Sequence, residues 1–303
     1  MNPMKTRIKY CFIAGLLLLI AAIAGIAFYS IHGGSVSKNA KEPAQTGIFS
    51  WSSSLPSDAK QQEQLDFAID RLGIGRVFQE FPDDLSADEE IPSFIHRLSK
   101  KEITCYALLG QPDWALSEHE PDLQARLQRI NIYNNAHSDA PLTGVMLDVE
   151  PYLLPEWDQD PDALMKEFSK TMAAIYQYNK AHDLDTILCI PYWYDNDYPD
   201  VLETLIRDCC DEIAVMNYYI GEESKHMETE LALCRTYKKP INCISEFQKP
   251  GSHDLTDKIT YYNRGIDAAR ATWKQLEESS DYKRLSFSYH YLDPVFELLQ
   301  KDS

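Results

Sequence analysis

The sequence predicts a single (β/α)8 TIM barrel, an α/β domain, preceded by an N-terminal transmembrane helix. Three observations carry this expectation. From residue 46 onward, eight short apolar runs alternate with amphipathic stretches, the order that gives parallel strands joined by helices. The segment they occupy, 46–303, has the usual length of one such barrel, about 250 residues. The first run leads into Ser50-Trp51-Ser52-Ser53-Ser54, without the Gly-rich phosphate loop that opens many doubly wound sheets.

Residues 1–9 hold Lys5, Arg7 and Lys9 and no acid, and form the expected cytoplasmic N-terminus. Residues 10–29 are apolar and uncharged, long enough to cross a hydrocarbon core, which takes about 20 residues. The basic flank places the N-terminus in the cytoplasm and the remainder outside, at the cell membrane. The run exceeds the roughly 7–15 apolar residues of a secretory signal, so an uncleaved anchor is the expectation. Cleavage after the small residues Ala22 or Ala24 is the other reading, and it would leave a secreted domain. Residues 30–45 mix Gly, Ser, Lys, Asn and Pro and read as a flexible stalk, reaching at most about 55 Å.

The strand candidates are 47–51, 75–81, 103–109, 144–150, 186–193, 212–219, 241–247 and 285–291. Helix starts support this register. Glu120-Pro121-Asp122, Asp160-Pro161-Asp162 and Asp293-Pro294 each set an acid before a proline suited to a first helical position.

Charge and cysteine usage exclude several classes. The chain has 29 basic and 47 acidic residues; the first thirty positions take three of the basic ones, leaving 26 against 47, a net charge of −21. That surface repels nucleic acid and anionic lipid. Of the cysteines beyond the apolar segment, Cys105, Cys189 and Cys243 sit in apolar runs and read as buried thiols. Cys209 or Cys210 is a candidate disulfide partner for Cys234. There is no CxxC, HExxH or zinc-like spacing, so neither a metal nor a cofactor is expected.

A barrel of this class does its chemistry at the C-terminal ends of its strands. Those ends are rich in aromatic rings and carboxylates: Trp51, Trp114, Tyr152, Tyr192, Trp193, Asn217, Tyr219, Tyr289 and His290 are the candidate substrate-binding residues. Ring faces stack on the C–H face of a sugar, and carboxylates accept bonds from its hydroxyls. The chemically sharpest pair is Asp148 and Glu150. Side chains alternate along a strand, so Met146, Asp148 and Glu150 share the inner face while Val145, Leu147 and Val149 face the helices. Two adjacent carboxylates raise each other's proton affinity, which keeps a general acid available near neutral pH.

At these residues the chain resembles known glycosidases. Leu147-Asp148-Val149-Glu150 resembles the end of the DxxDxDxE motif of family-18 chitinases and their relatives, and Met216-Asn217-Tyr218 resembles their strand-six MxYD motif. The resemblance implies Glu150 as general acid, Asp148 orienting an N-acetyl group, and Tyr218 supporting an oxazolinium-like intermediate. Thr143 and Met146 stand where the motif has its first two aspartates, and Tyr219 where MxYD ends in aspartate. Glu150-Pro151 and Ile244-Ser245-Glu246-Phe247 also resemble the acid and nucleophile strand ends of family-5-like retaining glycosidases, although Val149 replaces the asparagine that precedes their acid. That second resemblance implies Glu246 as nucleophile. The expected function is a membrane-tethered, extracytoplasmic glycoside hydrolase acting on a carbohydrate polymer, with amino-sugar polymers implied by the first resemblance. The alternative is a catalytically inactive barrel that binds glycan and organises surface polysaccharide.

Overall fold

The computed structural model describes residues 45–85, 89–251 and 253–301. The expected anchor, and the stalk up to residue 44, lie outside the described residues. Among the described residues, no helix is long and apolar enough to cross a membrane.

Eight strands close into a barrel in sequence order: β1 (Thr46–Ser50), β2 (Ile74–Glu80), β3 (Thr104–Leu109), β4 (Gly144–Leu147), β5 (Asp185–Pro191), β6 (Glu212–Met216), β7 (Ile241–Glu246) and β8 (Leu285–His290). Neighbouring strands are parallel throughout, and β8 returns to β1 through Gly47 and Ile48. Every expected strand forms. At β4, β5 and β6 the regular ladder stops two or three residues before the expected ends. A tilted, staggered barrel leaves those residues without a partner on both sides. The backbone remains directed for one more residue, since Asp148 donates to the Leu109 carbonyl at 2.8 Å and Asn217 to that of Ile244 at 3.1 Å.

The outer ring comprises α1 (Ala59–Leu72), α2 (Glu90–Lys100), α3 (Glu120–Ala136), α4 (Pro161–Ala181), α5 (Pro199–Asp208), α6 (Glu228–Tyr237), α7 (Ile266–Ser280) and α8 (Leu292–Lys301), with one further turn at Tyr194–Asp197. Local chemistry sets several boundaries. Asp58 caps α1 through the backbone N–H groups of Lys60 and Gln61, and Gly73 ends it in the left-handed region at φ 68°. Asp160 caps α4 through Ala163, with Pro161 at the first position as its sequence implies.

Alternation along the strands produces two apolar layers. Phe49, Phe78, Tyr106, Met146, Ile187 and Ile244 are among the residues that fill the barrel, while Val145, Leu147 and Val149 belong to the larger cluster under the helices. Gly47 makes room for this filling: a β-carbon there would come within 2.5 Å of the Phe78 ring. At the N-terminal end the interior is polar. Arg76 donates to both oxygens of Glu212, at 2.9 and 2.7 Å, and to Ser286 at 2.6 Å, all three residues being buried.

Cys105, Cys189 and Cys243 are buried free thiols, as expected, but so are Cys209, Cys210 and Cys234. The disulfide anticipated among the last three is not present. Their environment explains this. Cys209 and Cys210 donate to the carbonyls of Ser169 and Leu205, and burial pushes the thiols of Cys209 and Cys234 up to about 12. Disulfide exchange needs the thiolate, which this surrounding disfavours.

Candidate active site

The inner face of β4 leads directly into the mouth. Met146 lies inside the barrel, and Asp148 and Glu150 follow it at two-residue steps. Asp148 keeps some surface, but its Oδ1 is sealed and has no hydrogen-bond partner among the described residues. Burial, reinforced by the charge of Glu150 and opposed by His290, pushes Asp148 up to about 7. Burial also raises Glu150, against the lowering effects of a Tyr152 hydrogen bond and of His290. Tyr152 donates its phenolic proton to Oε1 of Glu150. Both carboxyls are thus shifted toward the protonated form, the direction that general acid work requires.

Gly110, just after β3, permits the close approach above this pair. A β-carbon at that position would meet the Asp148 carbonyl at 2.8 Å and Trp51 Cη2 at 3.2 Å. Trp51 therefore lies beside Asp148. Its indole Nε1 donates to His290 Nε2 at 3.1 Å. His290 Nδ1 in turn lies 2.8 Å from Oε2 of Glu246. The His290–Tyr291 peptide is cis.

Glu246 is almost wholly buried, at 2 % exposure, and its acceptor sites are occupied. Oε1 takes the backbone N–H groups of Phe247 and Gln248 at 2.8 and 2.7 Å; Oε2 takes Gln248 Nε2 at 3.2 Å and His290. Burial works to raise its pKa, but His290 and these donors outweigh it and hold the carboxylate below its ordinary value. Burial likewise works to lower His290, and Glu246, Asp148 and Glu150 together reverse that effect. Trp51 makes the opposite demand, because an indole N–H can satisfy only an unprotonated Nε2. Above that raised pKa, a neutral ring carrying its proton on Nδ1 satisfies both Glu246 and Trp51, a tautomer inferred from the surrounding groups.

Tyr218 packs against the barrel filling with its ring 5.9 Å from that of His290, and burial with Glu246, Asp148 and Glu150 raises its pKa strongly. Asp148, Glu150, Tyr152, Trp51, Tyr218, His290 and Glu246 therefore converge on one mouth. Tyr152 and Trp193 continue from it as a wall, with rings 5.5 Å apart, joined by Trp157 and Tyr198. Tyr192 stacks on His226 at 4.0 Å, and Tyr219 meets the same histidine edge-on at 6.0 Å.

Three candidates lie elsewhere. Asn217 is buried and bonds the Glu223 carbonyl at 2.9 Å, pinning the loop after β6. Tyr289 is fully buried against Trp273 and Phe247, and Trp114 lies in the same outer layer. Alternation accounts for Asn217 and Tyr289: each neighbours inward residues, Met216 and Tyr218 for the first and His290 for the second. Gln248, Gly110, Trp157 and Tyr198 were not among the candidates. The aromatic wall was visible in the sequence only as a high local ring content at 152–157 and 192–198.

No protein-family model matches the chain, and no curated protein matches it. Solved structures do. A chitinase from Chromobacterium violaceum superposes with a TM-score of 0.53 at 13% identity, over 85% of this chain and 98% of that one. A GH18 chitinase from Cycas revoluta in complex with (GlcNAc)3 gives 0.54 at 11%, over 85% and 98%. A GH113 β-1,4-mannanase gives 0.52 at 11%, over 84% and 89%. What the likeness establishes is the fold, a (β/α)8 barrel.

Proposed function

We propose that this protein is a glycoside hydrolase that acts on an extracytoplasmic polysaccharide while tethered to the cell membrane by its N-terminal apolar segment. The observation that carries the reading is the half-buried Asp148–Glu150 pair at the mouth of the barrel, both carboxyls shifted toward the protonated form by burial. Glu150 is the general acid/base, positioned by Tyr152. Asp148 and Tyr218 flank it, and the aromatic wall from Tyr152 to Trp193 receives sugar rings.

The state of Glu246 bears on what attacks the anomeric carbon. A nucleophile needs an available lone pair, whereas both oxygens of Glu246 are engaged by backbone, Gln248 and His290. This favours attack by the substrate's own acetamido oxygen, and hence an N-acetylated amino sugar as substrate. The Tyr152 bond to Glu150 also supports a second reading, an inactive glycan-binding barrel, because it occupies an oxygen that an acid would present to the leaving group.

The deciding experiment is turnover of N-acetylated oligosaccharides by the full chain and by Glu150→Gln. Loss of about 10²–10⁴-fold in kcat with binding retained supports the hydrolase. Equal binding with no turnover in either form supports the glycan-binding reading. Tethering is tested by membrane fractionation of the intact chain against one truncated before residue 30, which is expected to be released.

A further inference from the structure

Glu246 at the end of β7, His290 at the end of β8 and Trp51 just after β1 form a continuous chain of hydrogen bonds that the proposed reaction does not use. Its geometry is directional. Among the described residues, the carboxylate of Glu246 accepts from two backbone N–H groups and the Gln248 amide, and meets His290 Nδ1 at 2.8 Å. An ionised carboxylate can only accept, so His290 carries its proton on Nδ1 and leaves a lone pair on Nε2. The indole of Trp51 can only donate, and it meets that lone pair at 3.1 Å.

We propose that these three residues are a positioning relay. Glu246 sets the tautomer of His290, and His290 thereby holds the Trp51 ring against Asp148 beside the proposed acid. The packing around the ring agrees. Trp51 Cη2 occupies space that a side chain at position 110 would need, so the indole is fixed at its nitrogen end by His290 and at its far edge by Gly110. Phe49 and Tyr291 flank the imidazole at 5.3 Å each, and Tyr218 lies at 5.9 Å, which confines it laterally. The charged or titratable groups facing His290 are Glu246 from β7, Asp148 and Glu150 after β4, Tyr218 after β6 and Tyr291 after β8. The ligand served by the relay is a pyranose ring stacked on Trp51, a role that rests on the hydrolase or glycan-binding reading; the relay itself does not.

A glutamine at 246 distinguishes this from simple packing. Its carbonyl must stay with the two backbone donors, which cannot move. Its amide group then faces Nδ1 and donates, and His290 is driven to the Nε2–H tautomer, donor against donor with Trp51. The test is nitrogen NMR of the full-length chain in detergent, labelled at histidine and tryptophan. At a pH above the raised His290 pKa, the wild type is expected to show neutral His290 protonated at Nδ1 and a downfield Trp51 indole proton. Glu246→Gln is expected to invert the tautomer and return the indole proton to its solvent-exposed position. A wild-type Nε2–H tautomer, or no change in Glu246→Gln, overturns the proposal. If that variant does not fold, Trp51→Phe serves: the His290 Nε2 resonance must shift on losing its donor, and an unchanged resonance overturns the relay. Binding of tri-N-acetylchitotriose is expected to weaken about five- to tenfold in Trp51→Phe. A chain that binds no sugar but shows the tautomer pattern fails the functional reading alone; one that binds sugar without the pattern fails the relay alone.

Discussion

Tyr152 donates its phenolic hydrogen bond to Glu150 Oε1 across a span of two residues, within the turn that begins at Pro151. The bond favours the ionised form of Glu150, while burial favours the neutral one, and burial wins. Tyr152 therefore limits how far the proton affinity of Glu150 rises.

Removing that bond has a defined direction. Tyr152→Phe keeps the ring in the wall and loses only the donor, so the Glu150 pKa rises further. The alkaline limb of the kcat/KM profile, which reports the free enzyme's acid, is expected to move to higher pH. An unchanged or downward-shifted limb would show that Tyr152 does not tune this group.

Asp148 links the site to stability. Its folded-state pKa, about 7, lies above its ordinary value of 3.8. The folded protein therefore binds more protons than the unfolded chain between these values. The associated stability is fully present below about pH 4 and is lost as pH rises through about 7. Asp148→Asn removes that dependence. Its Tm relative to the parent is expected to improve progressively from pH 5 to pH 8, with the parent's downward slope flattened in the variant. Parallel curves for the two proteins would refute this linkage.

His290 titrates in the opposite electrical sense. Protonation of Nε2 leaves two donors facing each other at Trp51. As pH falls through the raised His290 pKa, Trp51 fluorescence is expected to change, and the change is expected to be absent in His290→Gln. Persistence of the same transition in His290→Gln assigns it to another group.

Gly110→Ala places a methyl group 2.8 Å from the Asp148 carbonyl, which is backbone and cannot swing aside. The expected cost is about 1–3 kcal/mol, the range for overpacking a tight site. Denaturant unfolding measures it. The same variant is expected to weaken sugar binding, since Trp51 shares that space. A cost below about 0.5 kcal/mol with unchanged binding would show that the loop after β3 yields freely.

At the other end of the barrel, Arg76→Met removes the cation from buried Glu212 and leaves it the Ser286 hydroxyl at 3.3 Å. Breaking a buried ion pair from one side costs about 3–5 kcal/mol. Chemical denaturation is expected to show a loss of that order, with sugar affinity in the folded fraction unaltered because this polar layer lies at the end of the barrel opposite the mouth.

The parts of the molecule that were legible beforehand are those governed by local periodicity. Alternating apolar runs and helices determined the barrel, and the two-residue repeat determined that Met146, Asp148 and Glu150 face inward. The same repeat, applied to β6 and β8, also turns Asn217 and Tyr289 away from the mouth once Tyr218 and His290 point into it. Burial of Cys105, Cys189 and Cys243 follows from their apolar neighbours in sequence. The tertiary structure alone decided what Glu246 does. Its position at a strand end is visible in the chain, but its occupation is not: His290 lies 44 residues away, and Trp51 is 239 residues from His290. Hydrogen-bond saturation depends on which groups the closed barrel brings within about 3 Å, and no periodicity along one strand encodes what the strands opposite will offer.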